Sequence, residues 1–258
     1  MKKLLLAIVC FAVALPAFAA SPWDGTWKLD PAKSHLTGDS FTYTKLPDGK
    51  WQFAAGVLKV DVAPNGKPYP VLDADHTVTL TLINDHTLAM AGQFKGKTTS
   101  TSRDVLSADG KTLSSTTTGT NPDGSSFTTS DTAVRSGSGS GFFGTWVSTK
   151  TKSSTNDIVD ISTAPDGVIT MRYPISKDSV SFKSDDKPVP ISGPQTISGL
   201  TVAYKAPSSH RLDYAVFLNG KKISEGYQLL AADGKSYDDT SWAPGKMNEK
   251  TTSVYIKQ

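Results

Sequence analysis

The sequence predicts an all-β protein made of two consecutive antiparallel up-and-down β-barrels. Three observations lead there. Apolar and hydroxyl side chains alternate with a period of two through both halves, as in half-buried strands. Six Asp-Gly and two Asn-Gly steps punctuate those runs, supplying the positive φ that tight hairpin turns demand. The triplet Gly-Thr-Trp occurs twice, at 25–27 and 144–146, and opens each half. Neither half carries an amphipathic helical pattern of about ten residues or more.

The first twenty residues read as a secretory signal. Lys2 and Lys3 form a positive start, Leu4 to Leu15 an apolar stretch too short to cross a bilayer, and Ala17-Phe18-Ala19 a cleavage site. Cleavage is expected near Ala19 or Ala20, giving a periplasmic or secreted chain with no membrane span. Cys10, the single cysteine, lies inside the apolar stretch after Ile8 and Val9. Lipoprotein processing needs small residues there, so no lipid anchor is expected, and thiol chemistry leaves with the signal. Removal of Lys2 and Lys3 leaves 25 basic against 24 acidic side chains. With no polybasic stripe, nucleic acid is excluded as a natural partner.

The Gly-Thr-Trp copies are the first of three anchors in the same order in both halves. Gly66-Lys67-Pro68-Tyr69-Pro70-Val71 corresponds to Asp186-Lys187-Pro188-Val189-Pro190-Ile191. Val105-Leu106-Ser107-Ala108-Asp109-Gly110-Lys111 corresponds to Leu229-Leu230-Ala231-Ala232-Asp233-Gly234-Lys235. The chain therefore reads as a tandem repeat, with a first domain at 21–135 and a second at 142–258. The Gly/Ser run 136–141 has no side chains to bury and is read as the linker.

In order along the first half, Asp30-Pro31 opens a short turn after the first strand. Phe41 to Lys45 and Trp51 to Phe53 flank Asp48-Gly49. Thr77 to Leu82 alternates without a break, with Val78, Leu80 and Leu82 on one face. Leu88, Met90 and Phe94 continue that face on the next strand. Lys97 to Ser102, Thr112 to Thr120 and Thr128 to Thr132 are almost all Ser and Thr, giving either a solvated outer wall or a partly polar lumen. In the second half Ile169, Met171 and Tyr173 alternate, as do Val180 and Phe182. Leu212, Tyr214, Val216 and Leu218 run into Asn219-Gly220, with Tyr227 on the return strand. Sheets of about eight to ten strands per half have edges to manage, and closure into a barrel removes them.

The string Gly25-Thr26-Trp27-Lys28-Leu29-Asp30-Pro31-Ala32-Lys33-Ser34, with Asp109 to Leu113 later, resembles small secreted lipocalin-like domains of the calycin superfamily. The second half keeps Gly-Thr-Trp and Asp233-Gly234-Lys235 but lacks the Pro-Ala-Lys-Ser segment. The resemblance implies lipocalin-like barrels in which the motif tryptophan packs under a cation from the last strand. Carried over, Trp27 would lie under Arg135, or failing that Arg103, and Trp146 under Lys257, all in a structural role.

For catalysis the sequence offers little. His35, His76, His86 and His210 show no convergence of three or four metal ligands. Six of the 24 carboxylates are spent in Asp-Gly turns, and no nucleophile triad, phosphate loop or dinucleotide fingerprint is present. No enzyme activity, cofactor or metal is expected. The leading reading is an exported protein holding a small, largely apolar molecule inside its barrels. The alternative is a non-catalytic structural or interaction module of the cell envelope, its barrels filled by their own side chains; no protein partner is indicated. A pocket would be lined by Tyr43, Trp51, Phe53, Leu80, Leu88, Met90 and Phe94 in the first barrel, and by Met171, Tyr173, Phe182, Tyr204, Tyr214 and Tyr227 in the second. The same residues would form ordinary core if the barrels are filled.

Overall fold

A computed structural model describes residues 21–56, 58–154 and 157–258. The expected signal and its cleavage site lie outside them. The described chain is all-β: two ten-stranded antiparallel sheets, each curled into a nearly closed barrel, with one short 3-10 turn at Met247–Glu249. None of its helices is long and apolar enough to cross a membrane.

The chain opens with β1 (Gly25–Leu29). It continues through β2 (Ser40–Lys45), β3 (Trp51–Ala55), β4 (Leu58–Val62), β5 (Asn65–Pro70), β6 (His76–Asn84) and β7 (Thr87–Phe94). Next come β8 (Lys97–Leu106), β9 (Thr112–Thr120), β10 (Ser126–Ser140) and β11 (Phe143–Ser153). The remainder is β12 (Ile158–Thr163), β13 (Ile169–Tyr173), β14 (Asp178–Phe182), β15 (Val189–Pro190), β16 (Leu200–Ser208), β17 (Arg211–Leu218), β18 (Lys221–Leu230), β19 (Ser236–Trp242) and β20 (Thr251–Lys257). Six of the eight Asp-Gly and Asn-Gly steps place a positive-φ glycine in a turn between strands: Gly49, Gly110, Gly124, Gly167, Gly220 and Gly234. Gly25 and Gly66 lie instead within strands.

The two barrels exchange their first strands. One sheet runs β4-β3-β2-β11-β10-β9-β8-β7-β6-β5, and the other β14-β13-β12-β1-β20-β19-β18-β17-β16-β15. Thus β11, with the second Gly-Thr-Trp, completes the first barrel between β2 and β10. Strand β1, with the first copy, completes the second barrel between β12 and β20. The cause is local. The Gly/Ser run read as a linker forms the end of β10, and Gly141, at φ 55°, turns the chain directly into β11, where Ser140 pairs with Phe143. A hairpin between strands adjacent in sequence closes with little loop entropy, so β11 folds back on β10 and the matching place beside β20 goes to β1. The first barrel is therefore residues 40–153, and the second combines 21–29 with 158–258, in place of the 21–135 and 142–258 division.

This exchange corrects the pairing of tryptophans and cations. Arg135 lies 4.3 Å from the Trp146 ring centre and Lys257 5.0 Å from that of Trp27. Arg103 covers neither ring. Both tryptophans are fully buried, and each indole Nε1 donates to the carbonyl four residues earlier, Trp23 at 2.8 Å and Phe142 at 2.9 Å. A Cβ on Gly25 would lie 2.7 Å from Lys257 Cε, and one on Gly144 2.8 Å from Arg135 Nη1. Both glycines have φ of 130° or more. The motif glycine thus gives the backbone room for the cation that covers the motif tryptophan. Arg135 is held by the carbonyls of Gly110, Gly141 and Phe143.

Each barrel has its own core. Trp27, Val159, Met171, Phe182, Leu212 and Tyr237 anchor one; Trp146, Trp51, Leu80, Leu88 and Leu113 anchor the other. Between the barrels, the His76 ring bridges Asp73 (Nδ1 to Oδ1, 2.7 Å) and the Gln195 carbonyl (Nε2 to O, 3.0 Å). Asp73 Oδ2 also accepts from the Ser198 amide. On another side, Ser40 and Lys246 converge on Glu249.

Candidate functional site

Both barrels are hollow. The first holds a cavity of about 480 Å³, lined by Phe41, Tyr43, Phe53, Met90 and the inward side chains of β8 to β11. A second hollow of about 280 Å³, almost wholly apolar, adjoins it and shares Tyr43, Phe53 and Met90. The second barrel holds a cavity of about 550 Å³, bounded by Tyr173, Val180, Tyr204, Tyr214, Val216 and the segment Gln195-Thr196-Ile197. The two larger volumes fall in the range of small-molecule sites, about 300–1,000 Å³.

Strand alternation places polar groups deep in each hollow. On β8, Ser102, Asp104 and Leu106 share the inward face, and on β9 Leu113, Ser115 and Thr117. Asp104 is 3% exposed and accepts from Ser115 Oγ at 2.6 Å and Ser102 Oγ at 3.2 Å. In the second barrel Gln228, also 3% exposed, faces Asp239 across the matching pair of strands. Gln228 Nε2 donates to Asp239 Oδ2 at 3.0 Å, and the Tyr214 hydroxyl donates to Asp239 Oδ1 at 2.7 Å. The carboxylate comes from the earlier strand of the pair in one barrel and from the later strand in the other. Asp157 accepts from the Tyr255 hydroxyl at 2.8 Å, and Asp178 from Thr196 Oγ1 at 2.8 Å.

Burial pushes the Asp104, Asp157 and Asp239 carboxyls above the usual carboxylate range; their hydrogen bonds act the other way without cancelling it. Burial, with the neighbouring Asp104 carboxylate adding, pushes the Tyr43 phenol far above its ordinary value. Burial and Asp239 do the same to Tyr214.

Of the residues expected to line a pocket, Tyr43, Phe53, Leu80 and Met90 line the hollows of the first barrel, and Tyr173, Tyr204 and Tyr214 that of the second. Trp51 and Leu88 pack in the first core, and Met171 and Phe182 in the second, where Phe182 stacks on Tyr204 at 3.9 Å. Phe94 packs against His76 outside the cavity linings. Tyr227 faces Arg211 and Trp242, away from the cavity. The Ser/Thr-rich strands serve both expected roles: Ser102, Ser115 and Thr117 point into the hollow, while Thr101 and Thr118 pair on an exposed face.

Sequence reasoning missed the carboxylates. Asp104, Asp131, Asp157, Asp178 and Asp239 line cavities, and none precedes a glycine. The available signal was an acid in phase with core residues, such as Asp104 two positions before Leu106. Among the described residues no group of three or more His, Cys, Asp or Glu side chains is arranged to hold a metal ion. A scan against known protein-family models gives no match, and neither does a search of the curated proteins.

Proposed function

We propose that this chain is an exported, non-catalytic binding protein that holds a small, largely apolar molecule inside lipocalin-like barrels. We further read it as a tandem of two calycin-like units, because the two sheets share one strand plan and one Gly-Thr-Trp and cation arrangement. The observation that carries the binding reading is the pair of hollows, about 480 and 550 Å³, walled by aromatic and aliphatic side chains together with carboxyls, amides and hydroxyls. A scaffold with filled barrels would leave no such space. The export reading, to the periplasm or outside the cell, is supported by the basic, apolar and A-x-A pattern of residues 1–20. Titration with a fluorescent lipophile whose emission rises in apolar surroundings tests the reading. Saturable binding that competing lipophiles displace is expected; a signal that never saturates, or none, would return the barrels to a structural role.

A further inference from the structure

We propose that the second barrel selects a protonated amine carried on an apolar body; this rests on the binding reading above and narrows it. The charged groups of this cavity are all of one sign. Asp157, Asp178 and Asp239 line it together with Ser176, Gln195, Thr196 and Gln228, and among the described residues no Lys, Arg or His does. The hydroxyls of Tyr214 and Tyr255 are already spent as donors to Asp239 and Asp157. Gln228 is fixed with its amide NH2 on Asp239, since the opposite orientation would set oxygen against carboxylate oxygen. That leaves Gln228 Oε1 buried without a hydrogen-bond partner, in a side chain that is only 3% exposed.

A buried acceptor left unpaired costs on the order of 1–3 kcal/mol, and such a group beside a cavity marks where a donor belongs. The charged acceptors around it are the three carboxyls, so a donor that also carries positive charge complements them best. Tyr173, Tyr204 and Tyr214 stand in the same wall, and an aromatic lining further favours a cation. A quaternary ammonium would satisfy the charge but has no N–H for Gln228, so an amine with N–H groups is the better fit. Val180, Ile191, Leu200, Val202 and Val216 take the apolar body. The first barrel follows the same rule in weaker form: Asp39, Asp104 and Asp131 line its cavity with Phe41, Tyr43 and Phe53, again without a cation.

The test is calorimetric titration of the purified chain with four probes of equal length: n-octylamine, n-octyltrimethylammonium, 1-octanol and octanoate, at neutral pH. Octylamine is expected to bind at least tenfold more tightly than octanol or octanoate, and more tightly than the trimethylammonium probe. Asp239→Asn, a near-isosteric change, should lower the octylamine-to-octanol affinity ratio at least fivefold. If that variant does not melt cooperatively, Asp157→Asn takes its place with the same expected direction. Octanol or octanoate binding as tightly as octylamine would overturn the amine assignment while leaving lumen binding intact. Binding of none of the four would overturn both. A trimethylammonium probe that equals octylamine would remove the role given to Gln228 Oε1.

Discussion

Lys257 Nζ lies 5.0 Å from the centre of the Trp27 ring, although one residue is in the last strand of the chain and the other in the first. A cation over a buried indole is worth about 0.5–2 kcal/mol. Lys257→Met should cost about that much in urea-unfolding stability, and Arg135→Met more, since it also abandons three backbone carbonyls. Gly25→Ala and Gly144→Ala should each cost more than about 1 kcal/mol, because each meets a positive φ and a displaced cation together. Unchanged denaturation midpoints in the glycine variants would refute this account of the motif.

The strand exchange makes a prediction about fragments. Residues 40–153 contain all ten strands of the first barrel, β11 included. Residues 21–135 lack β11 and carry β1 without the strands it pairs with. The 40–153 fragment should give dispersed amide NMR signals and a cooperative melt, and the 21–135 fragment neither. The reverse outcome would mean that each Gly-Thr-Trp strand completes its own half.

Stability should depend on pH through the buried carboxyls. Asp104, Asp157 and Asp239 are raised by burial in the folded chain. Between the ordinary carboxyl value of about 3.9 and their raised values, the folded state binds more protons than the unfolded one. Their contribution is therefore fully present below the unfolded value and is lost as pH rises through the folded values. The groups facing Asp239 are Gln228, Tyr214, Tyr204, Tyr173 and Asp157; those facing Asp104 are Ser102, Ser115, Tyr43 and Asp131. Thermal melting should show a loss of stability as pH rises from the ordinary carboxyl range toward pH 8 that is smaller in Asp239→Asn than in the unaltered, ligand-free chain.

Asp73 works in the opposite direction. Burial acts to raise it, but hydrogen bonds from the His76 side chain, the Ser198 amide and the His76 amide outweigh that and bring it down to about 2. This contribution is present above the unfolded value and lost as pH falls toward about 2. Because Asp73 and His76 of the first barrel hold Gln195 and Ser198 beside the second cavity, Asp73→Asn should raise hydrogen exchange at the Ser198 amide and weaken ligand binding in the second barrel. Exchange as slow as in the unaltered chain would contradict the interlock.

Much of this architecture was legible in the residues. The alternation of Thr77 to Leu82 and the turn glycines predicted strands and hairpins where they occur, because pleat geometry imposes a strict period of two. The pairing of Trp27 with Lys257 was not legible, since Arg135 and Lys257 hold matching places in their strands; the turn at Gly141 decides between them. Phe94 keeps the face of Met90 but sits at the end of β7, opposite His76. Near Tyr227, a register shift falls between Val216 and Phe217. Such a bulge shifts which residues face inward. The lumen carboxylates were less legible because an acid in a polar strand has the composition of a turn or surface residue, and only its phase with Leu106 or Tyr237 sets Asp104 and Asp239 apart.

The most direct test of the central claim is native mass spectrometry of the protein purified from its own compartment, before and after solvent extraction. The account predicts a discrete extra mass that extraction removes and that returns when the extracted ligand is added back. A bare chain mass, unchanged by a panel of lipophilic amines, alcohols and fatty acids, would contradict it and leave the barrels as scaffolds.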